Sequence, residues 1–159
     1  MNVHAKLALA LALASALNGA ELAARKALTL EVAKQMASAA EAEALKNKWN
    51  VVIAIAAEGA HLIYLQRIDE TQIGSVEVAI EKARTAVRFK RPTKALEDAV
   101  AGGRNAILKL PGALPVEGGL PITVDGKVIG AIGVSGVTSQ QDGQIAKAGL
   151  DALPKILSR

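Results

Sequence analysis

His61 is the side chain best equipped for chemistry. It is one of two histidines, it follows Glu58-Gly59-Ala60, and it opens the run His61-Leu62-Ile63-Tyr64-Leu65-Gln66-Arg67. An imidazole at the end of a strand, beside a glycine-containing turn, can be reached from a pocket and is a ready donor to iron. Tyr64 is the other candidate iron ligand. Period-two alternation sends it to the opposite sheet face from His61, so the two are not expected to hold one metal from this strand. A lone histidine at a strand end also commonly makes a single hydrogen bond and nothing more, and both readings of His61 stand. Lys82 and Arg84, with Arg88, Lys90 and Arg91 beyond them, are candidate partners for the carboxylates of a ligand, although a solvated helix face accounts for the same charges. Gly130, Gly133 and Gly136 recur every three residues along a strand and beyond it, where a missing side chain would let another backbone or a flat ligand approach.

Several familiar chemistries lack their residues. The three glycines spell G-x-x-G-x-x-G, whereas a dinucleotide fingerprint needs G-x-G-x-x-G inside a βαβ unit and a phosphate loop needs Gly-Lys-Ser/Thr. Gly133-Val134-Ser135-Gly136-Val137 falls one glycine short of a nucleophile elbow, and no Asp and His follow it in the order a triad requires. There is no cysteine, which removes thiolate catalysis, disulfides, iron–sulfur clusters and cysteine-type zinc sites. Two histidines, His4 and His61, cannot make a three-histidine metal centre alone. Glu58, Asp69 and Glu70 cluster near the first hairpin in no arrangement that specifies a metal or an acid/base pair. Aromatic residues are 2% of the chain (Trp49, Tyr64, Phe89), too few for a stacked nucleic-acid surface. The net charge of +4 is spread among interleaved acids and bases, so it licenses only a modest basic patch.

The elements that must position these residues are legible from periodicity. The 159 residues, 51% hydrophobic and 21% charged, fit one globular domain with an aliphatic core. From Thr29 to about Asn47 the residues Leu30, Ala33, Met36 or Ala37, Ala40 and Ala44 share a helical face. Val51 to Ala56 and His61 to Arg67 then read as a β-hairpin. A second helix carries Ile73, Val76, Ile80, Ala83 and Val87 as its apolar stripe and ends at Pro92. Thr93 to Ala101 is a shorter helix closed by Gly102-Gly103, and Pro111 to Pro121 is a loop. Ile122 to Val124 and Lys127 to Val134 flank Asp125-Gly126, whose residues suit the two positive-φ positions of a type I′ turn. Ser139 with Asp142 resembles a capping box opening a last helix through Leu153. The order α-β-β-α-α-β-β-α places the chain in the α/β class (α+β type), with an antiparallel sheet of two hairpins flanked by helices rather than a doubly wound sheet.

The N-terminus has the grammar of a secretory signal peptide over residues 1–16. Lys6 precedes the apolar run Leu7 to Leu17, and Ala14-Ser15-Ala16 supplies a cleavage site. Eleven apolar residues are too few to span a bilayer. Export to the periplasm or medium is the expectation, with a cytoplasmic protein the alternative if the segment is retained. An aliphatic chain this rich in alanine should leave apolar surface uncovered in a monomer, so a homo-oligomer is expected.

Four stretches together resemble the GlcG/HbpS-like haem-binding family, which includes the C-terminal domain of PduO-type proteins. They are Glu58-Gly59-Ala60-His61-Leu62-Ile63 with Gln66-Arg67-Ile68-Asp69; Ala79-Ile80-Glu81-Lys82-Ala83-Arg84-Thr85-Ala86; Gly119-Leu120-Pro121-Ile122 with Val124-Asp125-Gly126; and Ile129 to Gly136 followed by Gln141-Asp142. The resemblance covers about residues 28 to 157. Where family members read Asp-Ala-Gly-Gly-His and Met-Asp-Gly-Ala, this chain has Glu58-Gly59-Ala60-His61 and Ile68-Asp69-Glu70-Thr71, departures at the pocket rim. The resemblance implies an antiparallel sheet flanked by helices, oligomeric assembly, and binding of haem or a related tetrapyrrole. On that reading His61 is the iron contact with Tyr64 next in line, Lys82 and Arg84 meet the propionates, and Gly130 and Gly133 let the flat ring approach. Contexts of glycolate and diol utilisation keep a second reading open, an enzyme or accessory domain for a small organic acid or corrinoid. A buried Asp69 or Asp142 with a raised pKa facing a polar pocket would favour that second reading.

Overall fold

The structure, a computed structural model, describes residues 20–158. The expected signal segment, residues 1–16, lies outside the described residues. Helix α1 (Leu30–Lys46) starts at Thr29, whose side chain accepts the Val32 amide, and buries Ala33, Met36, Ala37, Ala40 and Ala44. The first hairpin is β1 (Val52–Ala57) and β2 (Leu62–Arg67). Next come α2 (Ser75–Phe89), α3 (Thr93–Ala101) and a 3₁₀ turn (Asn105–Lys109). The second hairpin is β3 (Gly119–Val124) and β4 (Lys127–Ser135), turning at Asp125 and Gly126 with φ of 50° and 72° as a type I′ turn requires. The chain closes with α4 (Ser139–Asp151) and a short α5 (Leu153–Leu157). The element order read from the sequence therefore holds.

The two hairpins join through their long inner strands. The described sheet runs β2-β1-β4-β3, with β1 and β4 antiparallel from Val52↔Ser135 to Ala57↔Gly130. Covered on both faces, β1 is buried along nearly its whole length, which is why it reads as a continuous apolar run without alternation. On one face α1 and α4 pack over Met36, Ile53, Ile55, Ile132, Val134 and Ile145. Each fully buried large aliphatic side chain contributes on the order of 1.5–3 kcal/mol. On the other face lies α2, against β4, β1 and β3.

Four local expectations are corrected. Ile73 precedes α2 and is 78% exposed; the deep face of α2 is Ser75, Ala79, Lys82, Ala83 and Ala86. The helix is seated with its backbone close to the sheet, so small residues occupy the contact and the larger Val76 and Ile80 fall to its flank. The loop expected through Pro121 ends earlier, because β3 starts at Gly119; β3 is an edge strand, where a proline's missing amide costs no ladder bond. The cap of α4 is Thr138 with Gln141 closing the capping box, one residue before the expected Ser139 and Asp142. Finally, the β1–β2 register shifts between Ile55 and Ala56: Ile55 pairs with Tyr64 and Ala56 with Leu62, leaving Ile63 as an extra residue. The bulge cancels the alternation argument. Ile55 and Ala57 share a face of β1, Tyr64 lies opposite Ile55, and the Ala57 amide bonds the His61 carbonyl (2.8 Å), so His61 and Tyr64 occupy register positions on one face.

Among the described residues no helix is long and apolar enough to cross a membrane.

Candidate functional site

The β1–β2 turn is built by two backbone bonds, Ala57 amide to His61 carbonyl (2.8 Å) and Ala60 amide to Ala57 carbonyl (2.9 Å), with Ala60 at φ 63°. His61 stands exposed immediately before β2. Its ring lies over Gly59, where an added Cβ would come 3.1 Å from Cδ2, so the absent side chain makes room for the imidazole. Among the described residues no carboxylate pairs with this ring, and the residue is exposed.

Helix α2 brings cations to the same turn. Arg84 Nε donates to the Ala60 carbonyl (3.3 Å) while its Nη1 reaches Glu81 Oε1 (2.7 Å). Arg88 sits one turn further, 3.7 Å from Glu81 Oε2 and 3.4 Å from the Gly112 carbonyl. Glu81 thus joins both guanidinium groups on one side of α2, and Arg84 is the one that reaches the turn. On the opposite side of the turn Arg25 pairs with Glu58. Tyr64 is half-buried and donates to Gln66 Oε1 (3.2 Å), whose amide in turn donates to Glu41 on α1 (2.5 Å).

Lys82 goes elsewhere. Two residues along a helix is a rotation of about 200°, so Lys82 and Arg84 cannot face one ligand. Lys82 is 1% exposed, and its Nζ lies 2.7 Å from Asp142 Oδ2, joining α2 to α4 past the start of β3. Gly118 and Gly119 open the way: a Cβ on Gly118 would stand 2.8 Å from Lys82 Nζ, and one on Gly119 2.4 Å from the Lys82 carbonyl oxygen. The other carboxyl oxygen of Asp142 accepts the Val137 amide (3.2 Å). Burial pushes the Asp142 carboxyl above its ordinary range, against the pull of the Lys82 ammonium and the Val137 and Gly136 amides.

The glycines are likewise occupied. A Cβ on Gly133 would lie 2.2 Å from the Ala79 carbonyl oxygen, and one on Gly130 2.5 Å from the Ala56 carbonyl oxygen and 3.0 Å from Leu28. Close backbone approach is what these positions provide, but α2, β1 and Leu28 make the approach, and a flat ligand finds that space filled. Of the residues singled out, the structure bonds Arg84, from α2, to the turn that precedes His61, sets His61 and Tyr64 at register positions on the α1 face of the sheet, and separates Lys82, Gly130 and Gly133 from them. Arg88 and Glu81 share the side of α2 that carries Arg84: Glu81 lies three residues before Arg84 and seven before Arg88, which was the sequence signal for one helix edge.

The site and fold define a class: an antiparallel sheet between helical layers, with a surface imidazole at a hairpin turn and one guanidinium bonded to the backbone of that turn. The chain belongs to the HbpS-like family, whose model, described as "Haem degrading protein HbpS-like", matches residues 28–151. It is 44% identical over 108 residues to Protein GlcG of Escherichia coli (strain K12), covering 68% of this chain and 81% of that protein. A 15.0 kDa protein of the dhaT-dhaS intergenic region of Citrobacter freundii is 37% identical over 133 residues, covering 81% and 94%. A double mutant of HbpS from Streptomyces reticuli superposes with a TM-score of 0.78 at 34% identity, covering 86% of this chain and 93% of that one. A complex of PduOC with haem gives 0.73 at 30% identity, covering 80% and 95%.

Proposed function

We propose that this protein binds haem, with the His61 imidazole as the iron donor and Arg84 and Arg88 as partners for propionates. The observation that carries the reading is the exposed imidazole seated over Gly59, next to a guanidinium hydrogen-bonded to the same turn. That donor set fits haem: one imidazole nitrogen for iron and two guanidinium groups for carboxylates. The family description and the solved haem complex of a relative support the same ligand class. Bound haem would supply a Lewis-acidic, redox-active iron; the chain's own groups hold and orient it. Within one protomer His61 would be the protein's donor to that iron, and a second would have to come from a neighbouring protomer.

The test is a titration of purified protein with hemin, followed through the Soret band, beside calorimetric titrations with cobalamin and with glycolate. A saturable Soret change with hemin alone is expected, and hemin that stays spectrally free while cobalamin or glycolate binds would replace this reading by the organic-acid or corrinoid one. Asp142 is the observation on that second side, being buried with a raised carboxyl. Its oxygens are engaged by Lys82 and Val137, and Asp69 is exposed.

Self-association belongs to the same proposal. Strand β2 is an edge strand bearing Leu62 (42% exposed) and half-buried Ile63 and Leu65, and Ile73 stands exposed nearby in sequence. Such an edge is a template for pairing. Light scattering at micromolar concentration should give a multiple of the 16.4 kDa chain mass, reduced by Leu62→Lys with Ile73→Glu; a monomeric mass for the wild type contradicts it.

A further inference from the structure

Asp-Gly occurs twice in the chain, at Asp125-Gly126 and at Asp142-Gly143. In this dipeptide the amide nitrogen of the second residue has an open approach to the carboxyl carbon of the first, because glycine carries no side chain to obstruct it. The two copies stand in opposite surroundings. Asp125 and Gly126 form the tip of the β3–β4 turn, with φ of 50° and 72°. The Asp125 side chain is 70% exposed, and a Cβ on Gly126 would meet nothing within 4 Å. Asp142 is buried against Lys82 inside α4, and a Cβ on Gly143 would lie 2.7 Å from Glu117 Oε1. The helix fixes the rotation about the Asp142 Cα–C bond that the attack requires, whereas the tip of a two-residue loop is held by its flanking strands alone.

One contact restrains the exposed copy. Lys26 Nζ lies 2.8 Å from Asp125 Oδ2. Its ammonium, first by hydrogen bond and then by charge, holds the Asp125 carboxyl below the ordinary carboxylate range. Ring closure expels a carboxyl oxygen as water, which the neutral acid allows and the carboxylate resists, so the pair with Lys26 slows the step.

We propose that Asp125-Gly126 is a site of spontaneous covalent modification, isomerisation to isoaspartate, restrained by Lys26, and that the fold protects Asp142-Gly143 from the same reaction. The Gly126 nitrogen bonds to Asp125 Cγ and gives up its proton. One carboxyl oxygen leaves as water with that proton and the acid's own, and a succinimide ring remains. Water then adds to a ring carbonyl: opening at Cγ restores aspartate, and opening at the Asp125 main-chain carbonyl routes the backbone through Cβ and Cγ. Water is the only co-reactant. The isoaspartyl link lengthens the main chain by one carbon, so the Val124↔Lys127 pair no longer closes a two-residue loop, and the carboxylate that Lys26 holds is displaced.

The experiment ages the folded full chain in heavy-oxygen water at about pH 6, where carboxylates are mostly ionised, and maps it by tryptic digestion and mass spectrometry. Residues 110–127 and 128–147 fall in separate peptides, so each Asp-Gly is read alone and apart from Asn18-Gly19, which shares the chemistry and lies outside the described residues. Wild type should gain heavy oxygen and a resolved isoaspartyl isomer in peptide 110–127 and neither in 128–147. Lys26→Ala should do so several-fold faster, and Lys34→Ala, on the exposed side of α1, at the wild-type rate. Added salt should speed the wild type by screening the exposed pair and leave Lys26→Ala unchanged. In urea the two peptides should react alike, since the fold is what separates them. No isomer at Asp125 in the folded chain, equal reaction at the two folded sites, or a Lys26→Ala rate equal to wild type overturns the proposal.

Discussion

Replacing Lys82 with Met should cost about 3–5 kcal/mol of stability, and so should Asp142→Leu, because each leaves a buried charge without its partner. The double replacement should recover most of that loss. Both side chains are almost wholly enclosed, so a single replacement leaves the surviving charge away from water. The pH dependence has a definite sign. The Asp142 carboxyl is raised in the folded protein, so its contribution to stability is fully present below the ordinary carboxylate range and is lost as pH rises through the raised value. In Lys82→Met the opposing ammonium is gone and the carboxyl rises further. The deficit of that variant should therefore be larger at pH 7 than near pH 4, where Asp142 can be neutral. Urea midpoints at the two pH values measure this. Single variants within about 1 kcal/mol of wild type, or a double variant no better than the singles, would show that the pair does not tie α2 to α4.

Gly133→Ala should be nearly as damaging. Its Cβ would stand 2.2 Å from the Ala79 carbonyl oxygen and 2.5 Å from the Ala83 amide nitrogen, and both are backbone atoms of α2 that no rotamer change can move. The helix has to lift from the sheet, at about 3 kcal/mol, the upper end of ordinary overpacking. Arg84 and Arg88 ride on that helix, so hemin affinity should fall with stability. Gly74→Ala, with nothing within 4 Å of the new Cβ, should stay within about 0.5 kcal/mol of wild type. Equal denaturation midpoints for the two alanine variants would contradict the close seating of α2.

What the sequence made legible was whatever short-range chemistry decides. Asp125-Gly126 specifies its turn, Gly102-Gly103 closes α3, and the apolar run of β1 announces a strand covered on both faces. The face of α2 was hidden because its contact is made by Ala79, Ala83 and Ala86 while larger residues lie on the flank, so weighting by bulk rotated the stripe. The bulge at Ile63 has no local signature, yet it alone decides whether Tyr64 and His61 share a face. The partner of Lys82 lies sixty residues away, and neither neighbourhood names the other. A clue did exist: Lys82 falls in register with Ser75, Ala79 and Ala86, the small residues of the buried stripe, where a free propionate partner would not be placed.

The haem site itself is best tested by hemin titration of wild type against His61→Ala under one set of conditions. His61 is exposed and its ring makes no hydrogen bond among the described residues, so the substitution should leave the fold intact. The account predicts a shifted Soret band and an affinity at least about tenfold weaker, equivalent to about 1.4 kcal/mol of lost ligation. An unchanged spectrum and affinity would contradict it and place the iron on another donor, with Tyr64, on the same face of β2, the first to examine.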